Sequence, residues 1–387
     1  MAQDIIYLDH NATTPLDSRI LEAMMPYLTN LYANASSNHI FGHEVNQAVK
    51  EASNQIAELI QCQPNELIYT SGATESINLA IKGVAEAYRE RGNHIITVQT
   101  EHKAVLDVCA FLETKGLEVT YLPVQSDGLI RLEDLKAAIK DTTLLVSVMT
   151  ANNETGVIQP IKEIAHIAHG AGVLFFTDAT QAFGKIPLNV DDMGIDLMAF
   201  SGHKIYGPKG VGSLFVRSRR PNRVKLESQI HGGGHQKGKR SGTLNVPGIV
   251  GLGAAAELAR KELAKDAKHT AELRDYLEAE ILKIPGTKVN GNTVHRLPNT
   301  TNIYFDGIDS DALMMGMENI MLSNGSACTS TLIEPSHVLQ AMGLNEQEAF
   351  CCLRFGIGRI NNNNETQSAL MQLQKAVNSL LVIKSDS

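Results

Sequence analysis

Val173-Leu-Phe-Phe-Thr-Asp178-Ala-Thr-Gln181, followed by Leu197-Met-Ala-Phe-Ser201-Gly-His203-Lys204, carries the signature of the fold. Each half is a short apolar run with the length and composition of a strand covered on both faces. The first run ends on a carboxylate and the second on Ser-Gly-His-Lys. Two buried strands of one parallel sheet deliver their carboxyl ends to the same edge, and in open α/β sheets that edge binds ligands. A lysine there can form a Schiff base with a carbonyl cofactor, and an aspartate can hold a protonated pyridine nitrogen. These are the two protein groups that pyridoxal phosphate (PLP) chemistry requires. Taken alone, the pair also fits a solvated strand-end lysine and a helix-capping aspartate, so the decision rests on the rest of the chain.

The alternation continues on both sides. Strand-like runs occur at Leu67–Thr70, His94–Val98, Val119–Leu122, Leu144–Val148, Val173–Phe176, Leu197–Phe200 and Gly212–Val216. Helical patterns at Glu75–Arg89, Leu132–Ile139 and Ile161–His169 lie between them, the rhythm of a doubly wound, mostly parallel α/β sheet. A Gly- and base-rich loop, Ile230 to Thr243, interrupts it. A long helix is then expected over Ala254–Ile284, a strand over Thr301–Phe305, a helix over Ser310–Asn319 and a closing helix over Thr366–Leu381. Asn361 to Asn364 reads as an exposed turn. The expected division is a large domain of residues 15–260 and a smaller α+β domain made of residues 1–14 with 261–387.

The chain has 387 residues, 43% hydrophobic and 20% charged, and a formal net charge of -8. The length suffices for two cores. The acidic balance argues against direct nucleic-acid or anionic-membrane binding. Basic clusters at Arg217, Arg219, Arg220, Arg223 and Lys225, and at Lys237, Lys239 and Arg240, read as solvated faces. No basic-then-apolar leader and no membrane-length apolar run is visible. The five cysteines (Cys62, Cys109, Cys328, Cys351, Cys352) lack CxxC spacing. Reduced thiols in a cytoplasmic protein, with no zinc site or disulfide framework, are therefore expected.

Further chemistry falls at the same predicted edge. Ser71-Gly72-Ala73-Thr74-Glu75 follows a strand and opens a helix, whose free N–H groups and positive dipole end suit a phosphate; a capping box is the plainer reading. His102 follows the strand His94–Val98 and could stack on a ring, exchange protons or merely cap a helix. Asn152-Asn153-Glu154-Thr155-Gly156 is a turn after the next strand that could offer an amide to a ligand. Cys328 lies in a run of small polar residues, Ser323 to Ser330, where an exposed thiol could act as a nucleophile. Arg354 could clamp a carboxylate or make a surface ion pair. Cys351 and Cys352 read as packing. Gly251-Leu-Gly253-Ala-Ala-Ala256 fits a loose dinucleotide pattern, but no strand precedes it, and close helix packing explains it better. His166 with His169, and His231 with His235, lack the companions of a metal site.

Together these residues resemble the cysteine desulfurases, and specifically their housekeeping long-loop group. The resemblance rests on Tyr7-Leu-Asp-His-Asn-Ala-Thr-Thr-Pro15, Ser71-Gly-Ala-Thr-Glu-Ser76, Thr100-Glu-His102, Asn152-Asn-Glu-Thr-Gly156, Asp178-Ala-Thr-Gln181, Ser201-Gly-His-Lys204, Arg240-Ser-Gly-Thr243 and Gly325-Ser-Ala-Cys-Thr-Ser330. It implies fold type I of the PLP-dependent transferases, a large domain with a mostly parallel seven-stranded sheet plus a smaller α+β domain. It implies that Lys204 bears the PLP Schiff base, Asp178 pairs with the pyridine nitrogen, Gln181 binds the phenolic oxygen and His102 stacks on the ring. Ala73, Thr74, Ser201 and His203 would hold the phosphate, with Thr243 reaching in from the second subunit of a homodimer. Asn153 and Arg354 would hold the carboxylate of L-cysteine. Cys328 would take the sulfur as a persulfide, leaving L-alanine, and pass it to an acceptor protein for iron–sulfur assembly, tRNA or other thiolation.

Two departures stand out. The chain stops at Ile383-Lys-Ser-Asp-Ser387 without the longer tail by which housekeeping members dock the iron–sulfur scaffold, which leaves the acceptor open. Cys351-Cys352 stands where relatives commonly carry Ser-Ser, so a sulfur relay through that pair is a hypothesis. The rival readings are a selenocysteine lyase or aminotransferase of the same cofactor class, an NAD-dependent oxidoreductase resting on the glycine pattern, and a non-catalytic sulfur-protein scaffold.

Overall fold

Seven short strands hydrogen-bond into one sheet, and the loops leaving its carboxyl edge converge. The computed structural model describes residues 5–219, 223–325 and 334–385. Its strands are β1 (Ile6–Tyr7), β2 (Leu67–Thr70), β3 (His94–Val98), β4 (Glu118–Leu122), β5 (Thr143–Ser147), β6 (Leu174–Asp178), β7 (Leu197–Ser201), β8 (Gly212–Val216), β9 (Thr287–Val289), β10 (Thr300–Phe305), β11 (Ile320–Met321) and β12 (Cys352–Gly356). The large sheet runs β2-β8-β7-β6-β5-β3-β4. Only β8 opposes its neighbours, pairing antiparallel with β2 and β7. β2 therefore points the same way as β3 to β7, and its carboxyl end opens on the same edge.

The strands are apolar throughout because both faces are covered. The helices concerned are α1 (Ser18–Thr29), α2 (Ile40–Ile60), α3 (Ala73–Ala87), α4 (Lys103–Glu113), α5 (Leu132–Ala138), α6 (Ile161–Gly170) and α7 (Val246–Ile281). Along β6 the side chains alternate as the pleat requires. Phe175 joins the core beneath α1, α2, α6 and α7, whereas Phe176 joins the core beneath α3 and α4. A second sheet, β12-β10-β9, is antiparallel. It shares a separate core with the short parallel pair β1–β11 and the closing helix Asn363–Ser385. α7 connects the cores: Ile249, Leu252 and Ala256 pack in the first, Leu273, Leu277 and Ile281 in the second.

The seven expected strands of the large sheet are all present, with ends shifted by a residue or two. The long helix starts at Val246 rather than Ala254, because Pro247 sits in the first turn, where a missing N–H costs nothing, and the Asn245 side chain accepts from Gly248 N–H at 3.1 Å. The helix expected over Ser310–Asn319 stops at Met315, and β11 follows. In the Asn361–Asn364 run Asn362 to Asn364 are exposed, as expected, but the run leads into a helix at Asn363 rather than forming a turn. Asn361 is buried and donates to the Tyr7 carbonyl at 3.1 Å, while Asn362 Oδ1 accepts from Glu365 N–H at the start of the closing helix. The glycine pair inside α7 is a packing device. A Cβ at Gly253 would lie 2.6 Å from Ala52 Cα of α2, and one at Gly251 would lie 2.6 Å from Met24 Sδ of α1. No nucleotide-binding turn exists there. Among the described residues no helix is long and apolar enough to cross a membrane.

Candidate active site

The cleft at the carboxyl edge encloses about 830 Å³ and is lined by Ala73, Thr74, His102, Asn153, Asp178, Gln181, Ser201, His203, Lys204 and Arg354, ten of the residues singled out from the sequence. They arrive from several strand ends of the large sheet and, for Arg354, from the second sheet. β6 delivers Asp178, and its parallel neighbour β7, in register Asp178↔Ala199, delivers Ser201 and the tight turn Gly202–Lys204. β2 leads into α3 at Ala73. This helix start is drawn against the sheet by Gly212, where a Cβ would lie 2.7 Å from Gly72 Cα. His102 is the N-cap of α4, exposed on one side, its Nδ1 accepting from Ala104 N–H at 3.1 Å. Both the capping and the cleft readings of this histidine thus describe its position.

The polar groups are oriented. Asp178 is 5% exposed, and its Oδ1 accepts from the Thr180 N–H at 2.9 Å and the Thr180 hydroxyl at 2.5 Å. Oδ2 has no hydrogen bond from the described residues and is left for a donor in the cleft. Beneath it Glu101 is fully buried, with Oε1 accepting from Met149 N–H and Oε2 unpartnered among the described residues. Burial, and then the Asp178 charge, push the Glu101 carboxyl well above its usual range, so the two acids do not compete as anions. The Lys204 amine donates to the carbonyls of Asn11 (2.7 Å) and Ala12 (2.6 Å). Desolvation and then Arg354 push it down to about 8, against the opposing pull of Asp9 and Asp178. At neutral pH a useful fraction is therefore the nucleophilic free amine. His203 is pushed down to about 4 by burial, then by Lys204, Lys209 and Lys185, and its Nδ1 meets Thr13 Oγ1 at 3.1 Å. It is a neutral imidazole beside lysine cations at the helix-start end of the cleft, a setting made for an anion.

Arg354, on β12, comes from the other sheet. Its Nη2 donates to Asp9 Oδ1 at 2.5 Å, Nη1 donates to the Asn153 carbonyl at 3.1 Å, and Nε is buried without a partner among the described residues. The set as a whole suits a flat group with a basic ring nitrogen at Asp178, an anionic end at α3 and a carbonyl at Lys204, next to a second, carboxylate-bearing molecule at Arg354.

Thr243 is exposed and does not line the cleft of its own chain. Cys328 lies outside the described residues, although Ser323 and Gly325, just before it, line the cleft. Cys352 is buried, and desolvation pushes its thiol up to about 12, which favours packing over sulfur relay for that residue. Within the first basic cluster Arg217 pairs with Asp191, and Arg219 with Glu66 and Asp191. His169 bonds Asp196 at 2.7 Å.

Sequence reasoning missed the N-terminal segment as a wall of the site. The buried Asn11 accepts from both Lys204 and Gln181 with its carbonyl, and its side chain donates to the Asn153 carbonyl at 3.0 Å and to Thr300 Oγ1 at 2.9 Å. Asp9 and Lys185 were missed as well. The density of polar residues in Leu8 to Thr14, with neither helix nor strand period, was the available signal.

The sequence profile for aminotransferase class-V matches residues 6–368. A human protein named cysteine desulfurase is 52% identical over 362 residues, 93% of this chain and 79% of its own length. Cysteine desulfurase IscS of Neisseria meningitidis is 50% identical over 376 residues, 97% of this chain and 93% of its own. Among solved structures, a NifS-like protein superposes with a TM-score of 0.90 at 37% identity, covering 97% of this chain and 99% of that one. SspA in complex with cysteine gives 0.83 at 38% identity, covering 92% and 100%. With a profile that runs through both sheets and relatives alike over nearly the whole length, the chain belongs to the aminotransferase class-V family.

Proposed function

We propose that the chain is a cysteine desulfurase, converting L-cysteine to L-alanine and transferring the sulfur to Cys328 as a persulfide. The observation that carries the reading is the convergence of the half-free Asp178 carboxylate, the depressed Lys204 amine and the open N-terminus of α3 in one cleft. Class-V aminotransferases and cysteine desulfurases are PLP enzymes, and this donor set fits that cofactor. When bound, pyridoxal phosphate supplies a carbonyl that captures an amino group and a ring that accepts electrons.

In this reading Lys204 would hold the cofactor and would serve as the base at the substrate Cα, its amine being already pushed down by burial and by Arg354. Asp178 Oδ2 would accept from the ring nitrogen, and Gln181 would donate to the phenolic oxygen. His102 would stack on the ring and exchange protons. The N–H groups of Ala73 and Thr74, with Ser201 and His203, hold the phosphate. Thr243, exposed on its own chain, serves the cleft of a second copy, which makes the working unit a homodimer. Asn153 and Arg354, which both line the cleft, would hold the substrate carboxylate. The sulfur then leaves Cys328 for an acceptor protein in the cytoplasm that serves iron–sulfur assembly or thiolation. We keep residues 15–260 as the cofactor domain and 1–14 with 261–387 as the smaller one, α7 bridging the two cores. No feature favours a selenocysteine lyase over this reading.

The test is the purified protein reconstituted with PLP and reduced with borohydride. A yellow protein that bleaches, with the cofactor fixed to the peptide containing Lys204, is expected. A colourless protein, or label on another lysine, contradicts it.

A further inference from the structure

Lys185 does not line the cleft. It lies behind it, half-buried on a small cavity of about 50 Å³ shared with His10, Tyr206 and Arg359. It follows Gln181 by one helical turn: after β6 the chain bends through Phe183 N–H to Ala179 O (2.8 Å) and Lys185 N–H to Ala182 O (3.0 Å). Residues four apart on such a turn face each other, and Lys185 Nζ meets Gln181 Oε1 at 3.0 Å. The other half of the same amide, Nε2, donates to the Asn11 carbonyl at 2.9 Å. A backbone carbonyl can only accept, so the atom facing it must be the NH2 group. The amide is thus held at both ends in one orientation. One N–H is spent on Asn11, and the second is what Gln181 has left for the cleft.

We propose that Lys185 is a positioning residue for the cofactor, locking the Gln181 amide so that an N–H donor rather than a carbonyl is presented to the cofactor's ring oxygen. The proposal rests on the reading of the site as a PLP site. Gln181 without Lys185 has a carbonyl with no partner and can turn. Were it to turn, two oxygens would face each other at Asn11 and an acceptor would face the ring oxygenate. Lys185 also brings positive charge to this side of the site. Desolvation first, then Lys204 and Arg354, push its amine down to about 7. The other groups around it are the buried His10 and, across the cavity, Asp266 and Arg359.

The readout is the pH midpoint of the visible absorbance of the PLP-loaded protein, which follows protonation of the Lys204–cofactor link. Loss of an N–H donor from the ring oxygen and loss of a nearby cation both favour the protonated link. Lys185→Met is therefore expected to raise the midpoint by about half to one unit, the scale of a weakened hydrogen bond to a charged group. Because Lys185 acts through Gln181, the same substitution in a Gln181→Ala background is expected to add less than it does alone. Lys185→Gln, which keeps a donor without the charge, should fall between. An unchanged midpoint in loaded Lys185→Met, or full additivity with Gln181→Ala, overturns the proposal. A wild type that takes up no PLP overturns the underlying site reading with it. Should neither variant fold, a crystal structure of the loaded wild type decides: Nζ is expected within hydrogen-bond distance of Gln181 Oε1, and a side chain turned away overturns the proposal.

Discussion

Glu154 offers a prediction whose sign and size both come from the structure. Its side chain is 3% exposed, and Oε2 accepts from the Ser336 hydroxyl at 2.5 Å. Gly325 is packed so close that a Cβ there would lie 2.7 Å from the same oxygen. The carboxyl thus joins residues on either side of the segment that holds Cys328. Burial pushes it from 4.5 up to about 7, with Ser336 and Arg354 only partly opposing. A group whose folded pKa is raised binds its proton more tightly in the folded state. Its contribution is full below pH 4.5 and is lost as the pH climbs through about 7. At 1.36 kcal/mol per unit the loss amounts to about 3 kcal/mol by pH 8. Glu154→Gln has nearly the shape of the protonated acid and keeps an oxygen for Ser336. At pH 5 the variant is expected within about 1 kcal/mol of wild type, the worth of one hydrogen bond. At pH 8 it is expected to be more stable by about 2–3 kcal/mol, after allowance for imperfect hydrogen bonding. Urea unfolding followed by far-UV circular dichroism at the two pH values measures both differences. An equal difference at pH 5 and pH 8, or a variant less stable at pH 8, refutes the reasoning.

Asp178→Asn is expected to keep the protein folded and yellow but to lower kcat by about 10²–10³, the usual cost of removing one preorganised electrostatic partner. Thr180 donates to Oδ1, so an amide there must present its NH2 to the cleft, a donor where an acceptor is required; steady-state alanine formation checks it. Arg354→Lys should raise KM for L-cysteine by about tenfold with a smaller effect on kcat, because an ammonium cannot reproduce the fork that also reaches Asp9 and the Asn153 carbonyl. Gly253→Ala puts a methyl 2.6 Å from Ala52 Cα and should destabilise by about 1–3 kcal/mol, since backbone must move apart; a Tm unchanged from wild type would contradict the close packing of α2 on α7.

The large sheet was legible in the sequence because its strands are covered on both faces and read as short apolar runs bounded by polar turns. Each strand end that carries chemistry, at Asp178, Lys204, Ala73, His102 and Asn153, could therefore be assigned to one edge from strand direction alone. β8 breaks that logic by running backwards, which no local pattern reveals; it also explains how β2 can sit beyond it and still point to the site. The smaller sheet was only partly legible. β9 and β11 are only three and two residues long, and β1 pairs with a strand more than three hundred residues away. The specific roles of Asn11 and Lys185 escaped the sequence for a related reason. Their roles depend on one carbonyl and one amide meeting across the fold, and nothing beside them in sequence predicts the encounter.

The central claim is that the Asp178–Lys204 cleft works with Cys328, which the sequence places a short step beyond the cleft-lining Gly325. The most direct measurement is incubation of the PLP-loaded protein with L-cysteine, without reductant, followed by quantification of alanine and mass spectrometry of every cysteine-containing peptide. One alanine for each sulfur gained, with the sulfur on Cys328 and turnover abolished in Cys328→Ser, is the predicted result. Alanine formed at the wild-type rate by Cys328→Ser, or sulfur first appearing on Cys351 or Cys352, would contradict it.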